Sequence, residues 1–235
     1  MQFLGTVFKI ILYQPLLNVL VILYLYLPGH DFGVAVIILT ILIKLIFYPL
    51  GAKAIESQRA LSVIQPKIKE IQQKWKDDKE KQTKEMMNLY RQEKINPFSG
   101  CLPILIQLPV LIALYRVFWI GLGPEQMTLL YSFIPSPGAI NSMFLGIIDL
   151  ANPNIILAVL AGILQFIQIK TSTTPIKIKK GSGVSDHMQK QMQFFMPVFM
   201  VVILFRLPSA IGLYWVTTTV FTIVQQYVIL KKEKI

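Results

Sequence analysis

The sequence holds one cysteine, Cys101, and only two histidines, His30 and His187, among 235 residues. A single cysteine excludes an intramolecular disulfide, and these three residues do not form a metal-binding cluster. No Gly-rich phosphate-binding loop is found either, so we predict neither a cofactor nor an enzymatic activity such as ATP hydrolysis. The apolar stretch at residues 3–27 lacks a basic start and a small-residue cleavage site, so no cleavable signal peptide is predicted.

Charge is also scarce, and apolar residues are abundant. Charged residues make up 15% of the chain and hydrophobic residues 54%, whereas soluble domains carry about 25% charged residues. The mean hydropathy is +0.58, and several apolar runs reach membrane-spanning length. The composition therefore predicts an all-α polytopic membrane protein with one membrane domain.

The apolar runs predict a five-span core. We assign residues 1–30 to an N-terminal apolar helix and residues 31–235 to the core. The third and fourth spans are shorter than the roughly 20 residues that cross a bilayer, so they require membrane thinning or support from neighbouring helices. The five predicted spans are residues 32–50, 101–122, 155–169, 192–207 and 211–230.

The N-terminal helix can be read in two ways. Pro15 and Asn18 would interrupt a span, which favours an interfacial helix on the outer face of the membrane. The alternative is a sixth span, which would place Met1 inside the cell.

The distribution of positive charge predicts the orientation. Residues 53–97 hold eleven Lys and Arg, residues 171–190 hold four lysines, and the C-terminus adds Lys231, Lys232 and Lys234. Residues 123–154 hold none, and their only charges are Glu125 and Asp149. The positive-inside rule places the three basic regions in the cytoplasm and the start of the first span outside.

Residues 53–97 read as a cytoplasmic helical hairpin. Apolar residues recur at spacings of three and four, as in a narrow coiled-coil seam. The run of residues 76–81 predicts the turn, and Thr83, Met86 and Tyr90 can continue the seam on the return helix. Connectors between spans are usually far shorter than residues 53–97, so the length of this segment favours a docking or gating role. The seam residues are Leu61, Ile64, Ile68, Ile71 and Trp75.

Lys44 is the only charged residue in the first predicted span. A lysine at the centre of a span costs roughly 2.5–3.5 kcal/mol on insertion scales, so such residues usually face protein or water and serve a function. The alternative is that Lys44 extends its stem to the nearer membrane surface.

Polar side chains accompany Lys44 on several predicted spans. Thr40 and Lys44 are four residues apart and share one helix face. Singly, such residues are more often hydrogen-bond partners between helices, but together with Lys44 they predict a polar groove open to the cytoplasm. The candidate groove residues are Thr40, Lys44, Gln107, Gln165, Gln168, Trp215, Thr219, Thr222 and Gln226.

Several motifs resemble the YidC/Oxa/Alb family of membrane-protein insertases. The sequence Asn-Pro-Phe-Ser-Gly-Cys-Leu-Pro at residues 96–103, with Gln107, resembles the family's second core span. Gly-Leu-Tyr-Trp at residues 212–215 resembles its last span. Ile-Gln-Pro-Lys at residues 64–67 resembles the start of its cytoplasmic hairpin, and Tyr-Gln-Pro-Leu at residues 13–16 the segment before the core.

The resemblance implies a five-span core around a groove that is closed to the outside and open to cytoplasm and lipid. It also implies that a cation in the first core span attracts acidic parts of a nascent chain. Lys44 matches that position, where bacterial relatives usually carry arginine, and lysine lacks arginine's planar fork of donors. Gln165 and Trp215 match polar groove partners.

The resemblance implies a bacterial cell membrane location. The implied partners are nascent membrane-protein clients and the lipid bilayer, with the Sec translocon, the ribosome and the signal-recognition-particle receptor as further candidates. No direct nucleic-acid site is evident. The large extracytoplasmic domain and the long basic C-terminal tail of some relatives are absent from this sequence.

Two other functions remain open from the residues alone. A small-solute transporter would use Lys44 as an anion site and would not need the hairpin. A structural assembly factor of the Sec translocon would tolerate alanine at position 44.

Overall fold

The computed structural model describes residues 2–96, 102–119, 124–138, 140–172 and 184–232, and they are mostly helical. Cys101 and residues 173–183, part of the second basic loop, lie outside the described residues. The helices are α1 (Gln2–Phe8), α2 (Gln14–Tyr26), α3 (Phe32–Ile46), α4 (Tyr48–Lys74), α5 (Lys79–Gln92), α6 (Leu102–Trp119), α7 (Pro124–Met127), α8 (Ile155–Ser172), α9 (Val184–Leu204) and α10 (Ser209–Lys232).

The N-terminal helix is continuous through Pro15. A π-helical turn at Lys9–Tyr13 joins α1 to α2. In a regular α-helix the Pro15 ring would clash with the carbonyl of the residue four positions earlier, and that carbonyl lies in this wider turn. Asn18 is buried, its amide donates to the Gln14 carbonyl at 2.7 Å, and its Oδ1 accepts from the Tyr131 amide at 2.7 Å. Pro15 and Asn18 therefore do not break the helix, and the choice between an interfacial helix and a sixth span stays a prediction.

The polar partners of this helix belong to the segment between α6 and α8. Tyr13 donates to the side chain of Gln126, and the Tyr24 hydroxyl accepts from the Asn141 amide at 3.0 Å. The Arg116 guanidinium lies 5.5 Å from the ring centre of Phe8. The helix thus runs along the end of α6 and the following loop over most of its length.

The first predicted span ends earlier than expected. Helix α3 stops at Ile46, and α4 begins at Tyr48 with an axis bent by 70°. Pro49 lies at the start of α4, where its missing amide hydrogen is no loss. Helix α3 therefore ends four residues before the predicted end of the span at Leu50, and the predicted hairpin start at Lys53 falls inside α4.

Helices α4 and α5 lie side by side with opposite directions. Gln82 donates to the Gln72 carbonyl at 2.8 Å, and Lys67 pairs with Glu93 at 2.5 Å. Of the predicted seam residues, Ile64 is buried, whereas Leu61, Ile68, Ile71 and Trp75 are half-buried.

Helix α5 meets this seam with a face that includes the predicted Met86, whose sulfur accepts from the Gln72 side chain at 3.8 Å. Gln82 and Leu89 are buried, but Thr83 is exposed and donates to the Lys79 carbonyl of its own helix. The prediction of Thr83 in the seam is therefore wrong by one residue. Asp78 caps α5 by accepting from the Lys81 amide at 2.9 Å, so the turn ends three residues earlier than predicted.

Two helical segments among the described residues are long and apolar enough to cross a membrane, Gly5–Tyr26 and Ser209–Lys231. The bent pair of α3 and α4 adds a third if it is counted as one span. Shorter apolar segments occupy Gln107–Phe118, Ile155–Thr171 and Phe194–Leu204. Helix α9 begins at Val184, eight residues before the predicted fourth span.

Helix α10 packs against α3 and α8 at the centre of the molecule. Tyr214 and Ile211 are buried in the same core cluster as Val36 of α3 and Leu157 of α8. Gly162 lets α9 approach α8, since a Cβ there would lie 2.4 Å from the Val201 side chain. Small residues of this kind let membrane helices pack closely.

A small sheet departs from the all-α prediction. Strand β1 (Met143–Phe144) pairs antiparallel with β2 (Ile148–Asp149). The hairpin packs on the start of α3, where a Cβ at Gly33 would lie 2.1 Å from the Phe144 ring. Asp31 connects both parts, because it caps α3 through the Val34 amide and accepts from the Leu145 amide at 2.5 Å.

Candidate functional site

A partly open cavity of about 230 Å³ lies between α3, α4, α6, α8 and α10. Amide and hydroxyl side chains alternate with apolar ones around its wall. Its described lining is Lys44, Gly51, Ala54, Ile55, Gln58, Gln107, Leu108, Leu111, Gln165, Gln168, Trp215, Thr218, Thr219, Thr222, Gln225 and Gln226.

Lys44 is the only charged residue among the described lining residues. Its side chain is half-buried, and its Nζ donates to Thr222 Oγ1 at 3.3 Å. Thr222 in turn donates to the Thr218 carbonyl at 2.8 Å. Within the described residues, no carboxylate lies in ion-pair distance of the Lys44 ammonium. The cavity therefore presents a positive charge that a neutral hydroxyl orients but does not neutralise.

The wall between α8 and α10 is held by a chain of side-chain hydrogen bonds. Trp215 Nε1 donates to Gln165 Oε1 at 3.1 Å, and Gln165 Nε2 donates to Gln168 Oε1 at 2.9 Å. One turn further along, the Thr171 hydroxyl donates to Gln226 Oε1 at 3.0 Å. These bonds satisfy much of the wall's polarity and hold the two helices in register.

Helix α6 joins the wall through Gln107, whose amide donates to the Tyr214 hydroxyl of α10. Tyr214 is 1% exposed, so this bond lies at the boundary between the cavity and the apolar core. Thr219 donates to the Trp215 carbonyl at 2.8 Å within α10. Its hydroxyl is thereby satisfied without a ligand.

Eight of the nine predicted groove residues line one cavity, and Thr40 does not. Thr40 is 1% exposed and donates to the Val36 carbonyl at 2.6 Å. It lies one helical turn deeper than Lys44, and its hydroxyl bonds within its own helix. The shared face predicted from the spacing is real, but the cavity ends before reaching Thr40.

The start of α4 contributes lining residues that were not predicted. Gly51, Ala54, Ile55 and Gln58 line the cavity, although the last three were assigned to the hairpin and Gly51 lies just before it. Pro49 was an available signal, because a proline near the first turn marks the start of a new helix. Since α4 turns by 70° at Phe47, its first turns lie against the groove.

The described residues contain no group of three or more His, Cys, Asp or Glu side chains placed to hold a metal ion. The site therefore consists of one cation, a set of amides and hydroxyls, and an apolar remainder. This arrangement offers an anionic or polar group one positive charge and several hydrogen-bonding side chains.

The family model and the individual relatives that match this chain point to the same protein family. Residues 23–234 match the family model described as 60Kd inner membrane protein. The membrane protein insertase YidC of Fusobacterium nucleatum subsp. nucleatum is 37% identical over 203 residues, covering 86% of this chain and 87% of that protein. The membrane protein insertases YidC of Francisella philomiragia subsp. philomiragia and Francisella tularensis subsp. novicida are 36% and 37% identical over 199 residues. These matches cover 85% of this chain but only 32% of each Francisella protein.

Proposed function

Since the chain belongs to the 60Kd inner membrane protein family, we propose that it is a bacterial membrane protein insertase, which inserts hydrophobic segments of nascent membrane proteins and helps them fold. The observation that carries this proposal is the cavity with one unneutralised cation, Lys44, in a chain that matches YidC insertases over most of its length.

The cavity is the proposed entry site for the client. A short acidic flank of a client enters it, and Lys44 offsets part of the cost of removing that flank from water. Thr222 orients the ammonium, while the hydrogen-bonded amides of α8 and α10 give the flank polar neighbours. The site residues proposed for this role are Lys44, Gln107, Gln165, Gln168, Trp215, Thr219, Thr222 and Gln226.

The hydrophobic part of the client leaves along the faces of α8 and α10. Exposed apolar side chains such as Ile156, Ile163 and Val220 offer it a surface continuous with lipid. Burial of apolar area drives this step, at about 25 cal/mol per Å². The membrane potential helps an acidic flank move outward by roughly 2.3 kcal/mol per charge per 100 mV. No nucleotide hydrolysis is required.

The proposed topology has five spans, formed by α3, α6, α8, α9 and α10, with α4, α5 and the C-terminus in the cytoplasm. The positive charges of residues 53–97 support this orientation. The N-terminal helix is placed on the outer face, because its hydrogen bonds reach Gln126, Leu129 and Asn141 of the segment with almost no charge.

The helical pair α4 and α5 is the proposed docking element. Its first turns line the cavity, so a partner bound to the pair can influence the entry site. The Sec translocon, the ribosome and the signal-recognition-particle receptor are the candidate partners.

The test is insertion of a single-span client with a short acidic N-terminal tail into liposomes holding purified protein, scored by protease protection. We expect Lys44→Ala to lower the insertion rate about tenfold, equivalent to roughly 1.4 kcal/mol of lost attraction, and Lys44→Arg to retain it. Lys53→Ala, which removes an exposed cation on α4, is the matched control.

In a second client, the acidic residues of the tail are changed to Asn and Gln. This client distinguishes loss of the electrostatic attraction by Lys44 from general damage to the protein. Lys44→Ala should affect this neutral client much less than the acidic one. Equal insertion of the acidic client by wild type and Lys44→Ala would contradict the role of Lys44. Insertion no greater than in empty liposomes, for every variant, would contradict the insertase function itself.

A further inference from the structure

The segment between α6 and α8 exposes apolar side chains at its surface. Phe133 is 74% exposed, Leu145 62% and Ile147 80%. Tyr131 stacks on Phe133 with ring centres 5.6 Å apart. We call these four residues, Tyr131, Phe133, Leu145 and Ile147, the apolar rim.

The turn between β1 and β2 carries an apolar residue, Leu145, in a conformation that usually takes a polar residue or glycine. Leu145 has φ +51° and Gly146 has φ +67°, and tight turns with positive φ normally carry Asn, Asp or Gly. A leucine there is strained, and both Leu145 and Ile147 project from the tip of the β-hairpin. If the turn faced water, polar residues at positions 145 and 147 would be more favourable than Leu and Ile.

The surroundings of the rim lack the charges of an aqueous loop. Among the described side chains of residues 126–154, Asp149 alone is charged, and it is used internally. Asp149 accepts from the Ser142 hydroxyl at 2.6 Å, from the Ala151 amide at 3.0 Å and from the Asn152 side chain at 2.6 Å.

The hairpin that carries two of the rim residues, Leu145 and Ile147, is also fixed in place. Asp31 accepts from the Leu145 amide, and the Phe144 ring fills the space that Gly33 leaves open. The positions of Leu145 and Ile147 are therefore set by the start of α3, and their exposure is a property of the fold. The N-terminal helix also exposes apolar side chains, at Ile10 and Ile11.

We propose that the apolar rim inserts into the lipid leaflet on its own side of the membrane, which the charge distribution makes the outer leaflet. Lipid suits this surface better than a protein partner, because a protein interface normally carries a polar rim with hydrogen bonds, whereas these side chains offer almost none. The aromatic pair matches the preference of such rings for the membrane boundary.

The test uses nitroxide labels on single cysteines in a Cys101→Ser background, with the protein in liposomes. Labels at Ile147→Cys and Phe133→Cys are compared for collisions with oxygen, which concentrates in lipid, and with a water-soluble nickel chelate. Ile156→Cys on the apolar face of α8 is the lipid reference, and Asp77→Cys in the turn between α4 and α5 is the water reference; both positions are exposed.

We expect the oxygen-to-nickel collision ratio at Ile147 and Phe133 to match that at Ile156 and to exceed that at Asp77 severalfold. A ratio equal to that at Asp77 would overturn the proposal. An immobile label that neither reagent reaches would indicate a protein partner and would overturn it as well. The readout needs no insertion activity, so its failure is distinct from failure of the proposed function.

A substitution supplies an independent check. Leu145→Asn relieves the strain of the positive φ, so it should raise the melting temperature if the turn faces water. In lipid nanodiscs we expect Leu145→Asn to lower it instead, because a polar amide replaces an apolar side chain in lipid. A higher melting temperature in nanodiscs would contradict lipid contact.

Discussion

The two polar residues of α3 show how one helical turn changes a side chain's role. Thr40 and Lys44 share a face, yet Thr40 is 1% exposed and bonds to the Val36 carbonyl, whereas Lys44 reaches the cavity and meets Thr222. An arginine at position 44 would bring five donors in a fixed fork. A lysine brings a compact charge on a flexible stem, which suits attraction of varied acidic flanks better than recognition of one carboxylate geometry.

Asp149 provides a residue-level prediction of pH dependence. The hydroxyl of Ser142, followed by the amide of Ala151, holds the pKa of the Asp149 carboxyl below its usual value. The resulting stability is present above the ordinary carboxyl pKa and is lost as the pH falls through the lowered pKa of the folded state. We expect Asp149→Asn to lower the melting temperature by about 2–4 °C at neutral pH, and the difference from wild type to vanish in acid.

Thermal unfolding in nanodiscs at a series of pH values measures this difference, with Asp77→Asn in the exposed turn between α4 and α5 as the control. A difference between wild type and Asp149→Asn that stays constant from neutral to acidic pH would show that the carboxylate network contributes nothing.

At the scale of elements, the break between α3 and α4 shapes the entry to the cavity. The chain turns by 70° at Phe47. Gln225 of α10 contacts this bend, since its Nε2 donates to the Tyr48 carbonyl at 3.0 Å. Gly51 makes room for this contact, because a Cβ there would lie 3.1 Å from the Gln225 amide. The bend is thus held by α10 and not only by the local sequence.

We expect Gln225→Leu to loosen the angle between α3 and α4. The substitution removes the donor to the Tyr48 carbonyl and should cost about 1 kcal/mol. Spin labels at Ile41→Cys and Lys53→Cys, both exposed, report the distance across the bend in a Cys101→Ser background. The distance distribution should broaden in Gln225→Leu and stay narrow in the control Tyr227→Leu, which changes an exposed neighbour. Unchanged distributions in both variants would show that α10 does not hold the bend.

At the scale of the whole molecule, hydropathy, charge and motifs were enough to predict the helical membrane architecture and the family. The polar residues that meet around Lys44 were also predictable, because helical spacing places them on single faces. At Phe47, Pro49 signals the start of a new helix, but the 70° angle was not predictable, since the contacting residue Gln225 lies far along the chain. The register of α5 depended on Gln82 reaching the Gln72 carbonyl, a tertiary contact that the apolar spacing does not encode. The small sheet depends likewise on Phe144 meeting Gly33.

For the N-terminal helix, the length favours a membrane span and the contacts favour a helix on the outer face. Gly5–Tyr26 is long and apolar enough to span a membrane, and it passes Pro15 without a break. Its partners argue otherwise, because Phe8, Tyr13 and Tyr24, which are spread along its length, contact the end of α6 or the nearly uncharged segment after it. A helix that crossed the membrane would move away from the segment after α6 within one or two turns. The contacts therefore favour a helix lying along the outer face, with Ile10 and Ile11 exposed to lipid.

We expect cysteines at Lys9 and His30, near the two ends of this helix, to react from the same side of the membrane. Both positions are exposed, and on the outer face a membrane-impermeant maleimide should label both in intact cells of a Cys101→Ser strain. Asp77→Cys should react only in inverted vesicles, which controls for sidedness. If Lys9→Cys instead reacted only in inverted vesicles while His30→Cys reacted in cells, the helix would cross the membrane. The chain would then have a sixth span and a cytoplasmic N-terminus, and its hydrogen bonds to Gln126 and Leu129 would have to lie within the bilayer.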